Sequence, residues 1–570
     1  MDPATFTEKQ KNYLTLLGLI LLLAAGGWLR CSRLDVFAPN VDELMHLRIA
    51  EGRNLGEVWH FSLLETHPPL GHFFRYAWNL VFHPRDIVGA RLPSALLGVL
   101  AIPVYFGLGR EVGGRRGGLL AAFIAALGYL PIVQSTLVRN YALFMVLIGL
   151  MFWAFLRLRK RWSWRGLAVY GLCALLSVLT HFGGVILTVS SLVVLARDLW
   201  RTGRPGDRWK RLIPWIVVNG GILLVVAGQC LIQRPYLEPM TSVATRFDFL
   251  SSWRLLQTME AFLMPKPEPA LAMVFLFVLG LVGQRGRGDI SEVTKHLLWV
   301  LLGACGLAIF LGVAGIYPLD QYLRRHLWLM APVSAFLASL FSNPERGERD
   351  VGHPGFRLME ELRTWQGLVT AGFLFTILAA LFWTTVVDGP TKVQEDRQEF
   401  SLTQKTLLDV RNYLETSLRP GDIVIADFHV AIYFFEGEHN LYIERWNHLG
   451  TDAVVSMPVG QGTMLTQPNR RYVRSSAEFR ELARAALAAG PHPPGYRVFL
   501  INWALTNPAQ QHLFQKEVDA HFGKEVRYFR NLPDDKSDKP EAAVFPFDGE
   551  FFATQVLPLD GAHAADLGQE

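Results

Sequence analysis

Between residues 13 and 387 the chain returns repeatedly to apolar runs of bilayer length, and no other feature limits its fold so tightly. A helix needs about 20 apolar residues to cross the hydrocarbon core of a membrane, and about eleven such runs stand out here. Their cores lie near 13–30, 87–109, 118–137, 140–157, 166–181, 184–199, 212–232, 268–283, 296–315, 323–341 and 366–387. In lipid every backbone amide must be satisfied within its own segment, so each run has to be helical. Composition agrees: 51% of the 570 residues are hydrophobic. The mean hydropathy is +0.23 even with a polar C-terminal third averaged in. The expected fold class is an α-helical polytopic membrane protein. Its first run follows Lys9 and Lys11 and ends near Ala24-Ala25-Gly26, like a secretory signal. Further apolar runs follow, so the reading is an uncleaved signal anchor.

Charge sets the orientation of such a chain. Basic connections are Arg110–Arg116, Arg157–Arg161, the stretch from Arg197 to Arg211, Gln284–Arg287 and the Arg346 to Arg363 segment. They are every second connection, which puts them in the cytoplasm with the N-terminus. The outer connections are then the loop after Arg30, the turn at Arg139, the His181-Phe182-Gly183-Gly184 turn, residues 233–267 and the Tyr317 to His326 link. Arg139 marks a turn because a charge at mid-bilayer is costly. Residues 43–51, 72–82 and Ser251 to Leu263 mix apolar and aromatic residues at helical spacing. They read as short helices lying in the interface, or as ordinary amphipathic surface helices. Cys31, Cys173, Cys230 and Cys305 sit in or beside apolar runs and read as small packing residues.

Beyond about residue 388 the character changes. Arg419-Pro420-Gly421-Asp422 is a turn signal before the strand-like run Ile423–Ala426, and Tyr496–Ile501 has the same look. Helical patterns near 400–417 and 476–489 alternate with them. That alternation predicts a small soluble α/β domain with a short parallel sheet. No dinucleotide or Walker fingerprint is present. The tail after about 556 is expected to be disordered. The expected division is 1–387 for the membrane domain, with outer loop 31–86 carrying a site, and 388–570 for the extracytoplasmic domain.

Loop 31–86 does not read as a linker. It holds Val41-Asp42-Glu43-Leu44-Met45-His46 and then Glu65-Thr66-His67-Pro68-Pro69-Leu70. Acidic and histidine side chains beside a membrane span are costly there and mark functional sites. A carboxylate can take the proton of an attacking hydroxyl, and Asp42 and His46, one helical turn apart, can share a face. Asp42 can equally be a helix-capping acid. Asp42, Glu43, His46 and Glu65 also offer oxygen and nitrogen ligands to a divalent metal. Cations for a phosphate group are available on the outer side in Arg139, Arg234, Arg324, Arg325, His67 and His326. Arginine suits phosphate through its bidentate fork, although a lone interfacial arginine is more often only snorkelling.

These elements, in this order, resemble a GT-C membrane glycosyltransferase of the protein O-mannosyltransferase type, a group that includes the bacterial lipid A aminoarabinose transferases. The resemblance covers roughly residues 13–345. Asp42-Glu43 matches the acidic pair of the first outer loop, whose Asp the family uses in catalysis, and Glu65-Thr66-His67-Pro68-Pro69-Leu70 matches an acidic-x-basic-Pro-Pro element. Arg91-Leu92-Pro93-Ser94, Gly107-Leu108-Gly109-Arg110, Gly117–Ala121 and Val138-Arg139-Asn140-Tyr141-Ala142 follow at matching places. His67 stands where the aminoarabinose transferases have Lys, and the 233–267 loop is too short for the inserted domain of the eukaryotic mannosyltransferases.

The resemblance implies a glycosyltransferase that moves a sugar from a polyprenyl-phosphate donor to an acceptor hydroxyl at the extracytoplasmic face of a bacterial plasma membrane. Asp42 would be the general base of an inverting transfer, with Glu43 beside it. His46, Glu65, His67, Arg139, Tyr141, Tyr322, Arg324 and Arg325 would bind donor or acceptor. The acceptor is a glycan, lipid or protein; no cofactor and no nucleic acid are expected. The alternative is a lipid or sugar transporter with an outer binding domain, whose inverted repeat of interrupted spans the sequence does not display.

Overall fold

The computed structural model describes residues 7–241 apart from 33, 35–40, 64, 66, 85 and 203–204, then 292–313 and 323–339. In the C-terminal part it describes 410, 413–414, 416–425, 455–459, 462–466, 495–503, 527–529 and 542–548. The runs expected near 268–283 and 366–387, the Ser251 to Leu263 helix, the 476–489 helix, the tail after 556 and Tyr322 lie outside the described residues. The chain forms two compact units, one of residues 1–36 with 49–394 and one of 37–48 with 395–570.

The first unit is helical. Helix α1 (Glu8–Cys31) opens on a capping box in which Thr7 Oγ1 accepts from the Gln10 amide and Gln10 Oε1 accepts from the Thr7 amide. Next come α2 (Val41–Ala50), whose last two residues alone belong to this unit, α3 (Leu55–Ser62) and α4 (Leu70–Phe82). The short helices expected at 43–51 and 72–82 are α2 and α4; α3 was not expected. Then follow α5 (Ile87–Leu127), α6 (Tyr129–Ser135), α7 (Tyr141–Lys160), α8 (Trp164–Val178), α9 (Gly183–Thr202), α10 (Pro205–Thr241), α11 (Glu292–Val313), a 3-10 helix (Leu323–Leu329) and α12 (Met330–Ser339). Among the described residues α1, α5, α7, α9 and α10 are long and apolar enough to cross a membrane; α8, His296–Leu311 of α11 and His326–Ser339, which ends in α12, are shorter apolar segments. Leu16, Leu17, Ile20 and Leu21 of α1 and Val217, Leu224 and Leu231 of α10 are exposed. An apolar surface of that extent belongs in lipid. The protein is an integral membrane protein.

Helix α5 is two arms. Gly114 (φ 63°, ψ −156°) breaks the helical backbone inside the expected basic turn. A side chain at Gly109 would strike the carbonyl of Gly117, and one at Gly118 would lie 2.9 Å from that of Phe106, so the arms fold back on each other. The second arm stops sooner than the expected 118–137 run. It ends at Leu127, the backbone opens at Gly128 (ψ 137°), and α6 restarts with Pro131 in its first turn. The physical reason is a buried cation: Arg30 donates to the carbonyls of Ala125 (2.7 Å) and Ala126 (3.0 Å) and to Ser135 Oγ (2.8 Å). The two carbonyls belong to the last turn of the second arm and Ser135 to α6, so the arginine holds the break open. The run expected from 323 likewise begins as 3-10 helix and becomes α-helical at Met330. The hairpin expected at His181 is present as α8, a short turn and α9.

The second unit carries a six-stranded sheet in the order β2-β3-β1-β4-β6-β5. Its strands are β1 (Ile423–Ile425), β2 (Val455–Val459), β3 (Gly462–Thr466), β4 (Arg497–Trp503), β5 (Arg527–Phe529) and β6 (Ala542–Asp548). The two expected strands, β1 and β4, pair in parallel, and β1 also runs parallel to β3. The outer pairings are antiparallel, so the sheet is mixed where an all-parallel one was expected. Val410, Leu414 and Leu418 are buried at a helical spacing of four, inside or beside the expected 400–417 helix. Gly421 takes the left-handed conformation (φ 89°) of the expected turn. Asp422, buried, accepts from the Arg497 amide (2.8 Å) and guanidinium (2.6 Å) and so ties the turn to β4.

Candidate functional site

The best-defined polar cluster of the first unit forms around the loop between α3 and α4. Helix α3 runs out at Ser62, and Pro68-Pro69 keeps the chain from resuming a helix until Leu70. The Leu70 amide donates to the carbonyl of Leu179 (3.0 Å), which pins the loop to the α8–α9 turn. Gln233, fully buried on α10, donates through Nε2 to the carbonyls of Ser62, Glu65 and His67 at 3.2–3.3 Å. A loop of seven residues is thus held by groups more than a hundred positions away.

Glu65 sits at the centre. Its carboxylate receives His67 Nδ1 (3.1 Å) and His72 Nε2 (3.2 Å), and Arg139 Nη1 lies 3.7 Å away. All four side chains are buried. A buried carboxylate is tolerable only with partners of this kind. Because His67 Nδ1 faces the carboxylate, its neutral form carries the proton there and leaves Nε2 to accept from the Tyr141 hydroxyl at 3.4 Å. Tyr141, His67 and His181 form a triangle of rings with centroids 5.4–5.8 Å apart, and the Arg139 guanidinium lies 5.6 Å from the Tyr141 ring. His181 Nδ1 accepts from the Gly183 amide (3.0 Å), so its neutral ring is protonated on Nε2.

The turn that carries Arg139 has its own brace. Arg75 on α4, buried, donates to the carbonyl of Ala90 (2.6 Å) and to Ser94 Oγ, and its Nη2 lies 3.4 Å from the carbonyl of Arg139. Arg91 in turn donates to the carbonyl of Leu34 (2.8 Å). A buried cation linking α4, α5 and the α6–α7 turn fixes where Arg139 projects.

Of the residues expected from sequence, Glu65, His67, Arg139 and Tyr141 come together in this cluster. Glu43 and His46 are buried on α2. Asp42 lies on the same helix, one turn before His46, and its side chain is outside the described residues. Arg324 and Arg325 lie in the 3-10 helix before α12, with side chains likewise outside the described residues, as is that of Arg234. His326 is buried. Sequence reasoning missed His72, Arg75, His181 and Gln233. His181 was marked only as a turn residue; His72 and Arg75 share a face of α4, a periodic signal that read as an interfacial helix.

Residues 66–229 match the profile of the family described as dolichyl-phosphate-mannose-protein mannosyltransferase. That stretch contains His67, His72, Arg75, Arg139, Tyr141 and His181. The match bears out the resemblance read from the sequence, and with it glycosyltransferase activity of the GT-C type. No curated protein sequence is significantly similar to the chain. Among solved structures it is similar to ArnT from Cupriavidus metallidurans in the apo state, with a TM-score of 0.46 and 12% identity, covering 93% of this chain and 97% of that one. It is also similar to the oligosaccharyltransferase AglB from Archaeoglobus fulgidus in complex with an inhibitory peptide and a dolichol-phosphate. There the TM-score is 0.46 and the identity 13%, with 96% of this chain and 78% of that one covered.

Proposed function

We propose that the protein transfers a sugar from a polyprenyl-phosphate donor to an acceptor hydroxyl, with Asp42 as general base and inversion at the anomeric carbon. The observation that supports this reading most is the buried Glu65–His67–His72–Arg139 cluster, nearly all of it within the stretch that matches the mannosyltransferase profile. Arg139 is the cation for the departing phosphate, since a guanidinium offers paired, charge-assisted hydrogen bonds. Glu65 is a positioning residue. Its own charge repels phosphate, but it accepts from both imidazoles and so holds His67 and His72 in one protonation pattern. In the reaction the acceptor hydroxyl gives its proton to Asp42 as its oxygen bonds to the anomeric carbon. The bond from that carbon to the phosphate oxygen breaks, and polyprenyl phosphate leaves. Arg324 and Arg325 are further candidates for the phosphate.

The basic alternate connections support placing this chemistry, and the 388–570 domain, on the extracytoplasmic side of a bacterial plasma membrane. The scheme draws on no cofactor. A divalent ion at Glu65 would compete with the hydrogen bonds from His67 and His72. Loss of activity on chelation, with recovery on adding the ion, is the result that would write a metal into the mechanism. The direct test is transfer from a synthetic polyprenyl-phosphate hexose in detergent. Asp42→Asn is expected to lower turnover by about 10²–10⁴, the usual worth of a general base, with donor binding intact. Turnover near that of the wild type would remove Asp42 from the reaction. Glu43→Gln is expected to affect turnover less.

A further inference from the structure

Two buried carboxamides beside the cluster have ends that no described group satisfies. Asn140 lies between Arg139 and Tyr141 in sequence, is 3% exposed, and neither its Oδ1 nor its Nδ2 has a hydrogen-bond partner. It packs on the first turn of α4, where any side chain at Gly71 would overlap it; His72, a partner of Glu65, is the next residue. Gln233 uses its Nε2 on the loop carbonyls and leaves Oε1 unpartnered. Its orientation is not interchangeable, because turning the amide would aim its oxygen at three carbonyl oxygens. Burying a polar atom without a partner is unfavourable, and buried polar groups are satisfied with few exceptions. Among the described residues the exceptions also include Gln134, Trp153, Ser191, Gln229 and Ser334, but Asn140 and Gln233 are the carboxamides that lie beside the Arg139-Tyr141 element and on the clamp of the Glu65–His67 loop.

We propose that Asn140, with Gln233 Oε1, binds the hydroxyl groups of the transferred sugar. The inference rests on the donor assignment above and deepens it. A carboxamide presents one acceptor and two donors in a plane, the complement of adjacent sugar hydroxyls, which both give and accept hydrogen bonds. Being neutral, it adds nothing to the grip on phosphate. The cluster then divides its work: Arg139 takes the charged end of the donor, and the carboxamides take the neutral sugar.

Asn140→Leu separates these roles, because it keeps the side-chain size and removes both unsatisfied atoms. Affinity would be measured for two probes, a polyprenyl-phosphate hexose and the same polyprenyl phosphate without sugar. The expected result is a loss of about tenfold or more for the first, the worth of one or two hydrogen bonds. Affinity for the second and thermal stability should be unchanged or improved. Equal affinity of variant and wild type for the sugar-bearing probe would overturn the proposal. So would a parallel loss for both probes with lowered stability, which would make Asn140 a packing residue. Wild-type protein that binds neither probe would sink the donor reading itself, a signature distinct from either.

Discussion

At the scale of single residues the cluster is a matter of charge balance. Glu65 faces one guanidinium and two imidazoles in a buried place, so its removal strands them. Glu65→Ala is expected to cost about 3–5 kcal/mol, as for other broken buried pairs, read as a lower unfolding temperature in detergent together with lost transfer. Arg139 calls for a different comparison. Arg139→Lys keeps the charge but loses the fork, so transfer should fall only partly; Arg139→Met should abolish it and weaken binding of free polyprenyl phosphate. If the Met variant binds that product as tightly as the wild type, Arg139 is not the phosphate cation. Glu65, His67, Arg139 and Tyr141 were legible because each belongs to a short motif in an outer connection. His72, Arg75, His181 and Gln233 were not, since their roles come from contacts across 7, 64, 114 and 168 positions.

At the scale of elements, glycines and prolines decide where helices stop. Gly114 sits at a backbone conformation open essentially to glycine alone, and a Cβ there would meet nothing within 4 Å. Gly114→Ala therefore isolates the backbone penalty, and a loss of about 1–3 kcal/mol is expected by thermal unfolding; an unchanged midpoint would mean that the turn has another way to close. Asp422 plays the corresponding part in the second unit, where one carboxylate serves the Arg419 amide and both the amide and guanidinium of Arg497. Asp422→Ala is expected to expose the C-terminal domain to limited proteolysis while leaving the membrane helices intact. The turn at 419–422 was readable, because Pro-Gly-Asp has few other uses. The break at Gly128 was not, because a Leu-Gly-Tyr-Leu-Pro stretch within an apolar run can continue a membrane helix. Arg30, nearly a hundred residues away, supplies the hydrogen bonds that stop it.

At the scale of the whole molecule, lipid is the solvent that shapes the chain. Exposed leucines and valines on α1 and α10 are its imprint, and the basic alternate connections carry the proposed orientation of the helices within it. The topology is testable by labelling in a background with the four native cysteines replaced. Cysteines at Arg53, which is exposed, and at Ser475 should both react with an impermeant thiol reagent added from outside. Reaction at one alone would show an odd number of spans between them. Membrane residence, the position of most helices, the parallel strands β1 and β4 and the four motif residues of the cluster were legible in the sequence, because hydropathy, charge and turn chemistry act locally. Tertiary structure alone decided which polar side chains meet. In a bundle that excludes water, a buried arginine, glutamine or histidine must find its partners wherever packing places them, and chain distance has no say in that.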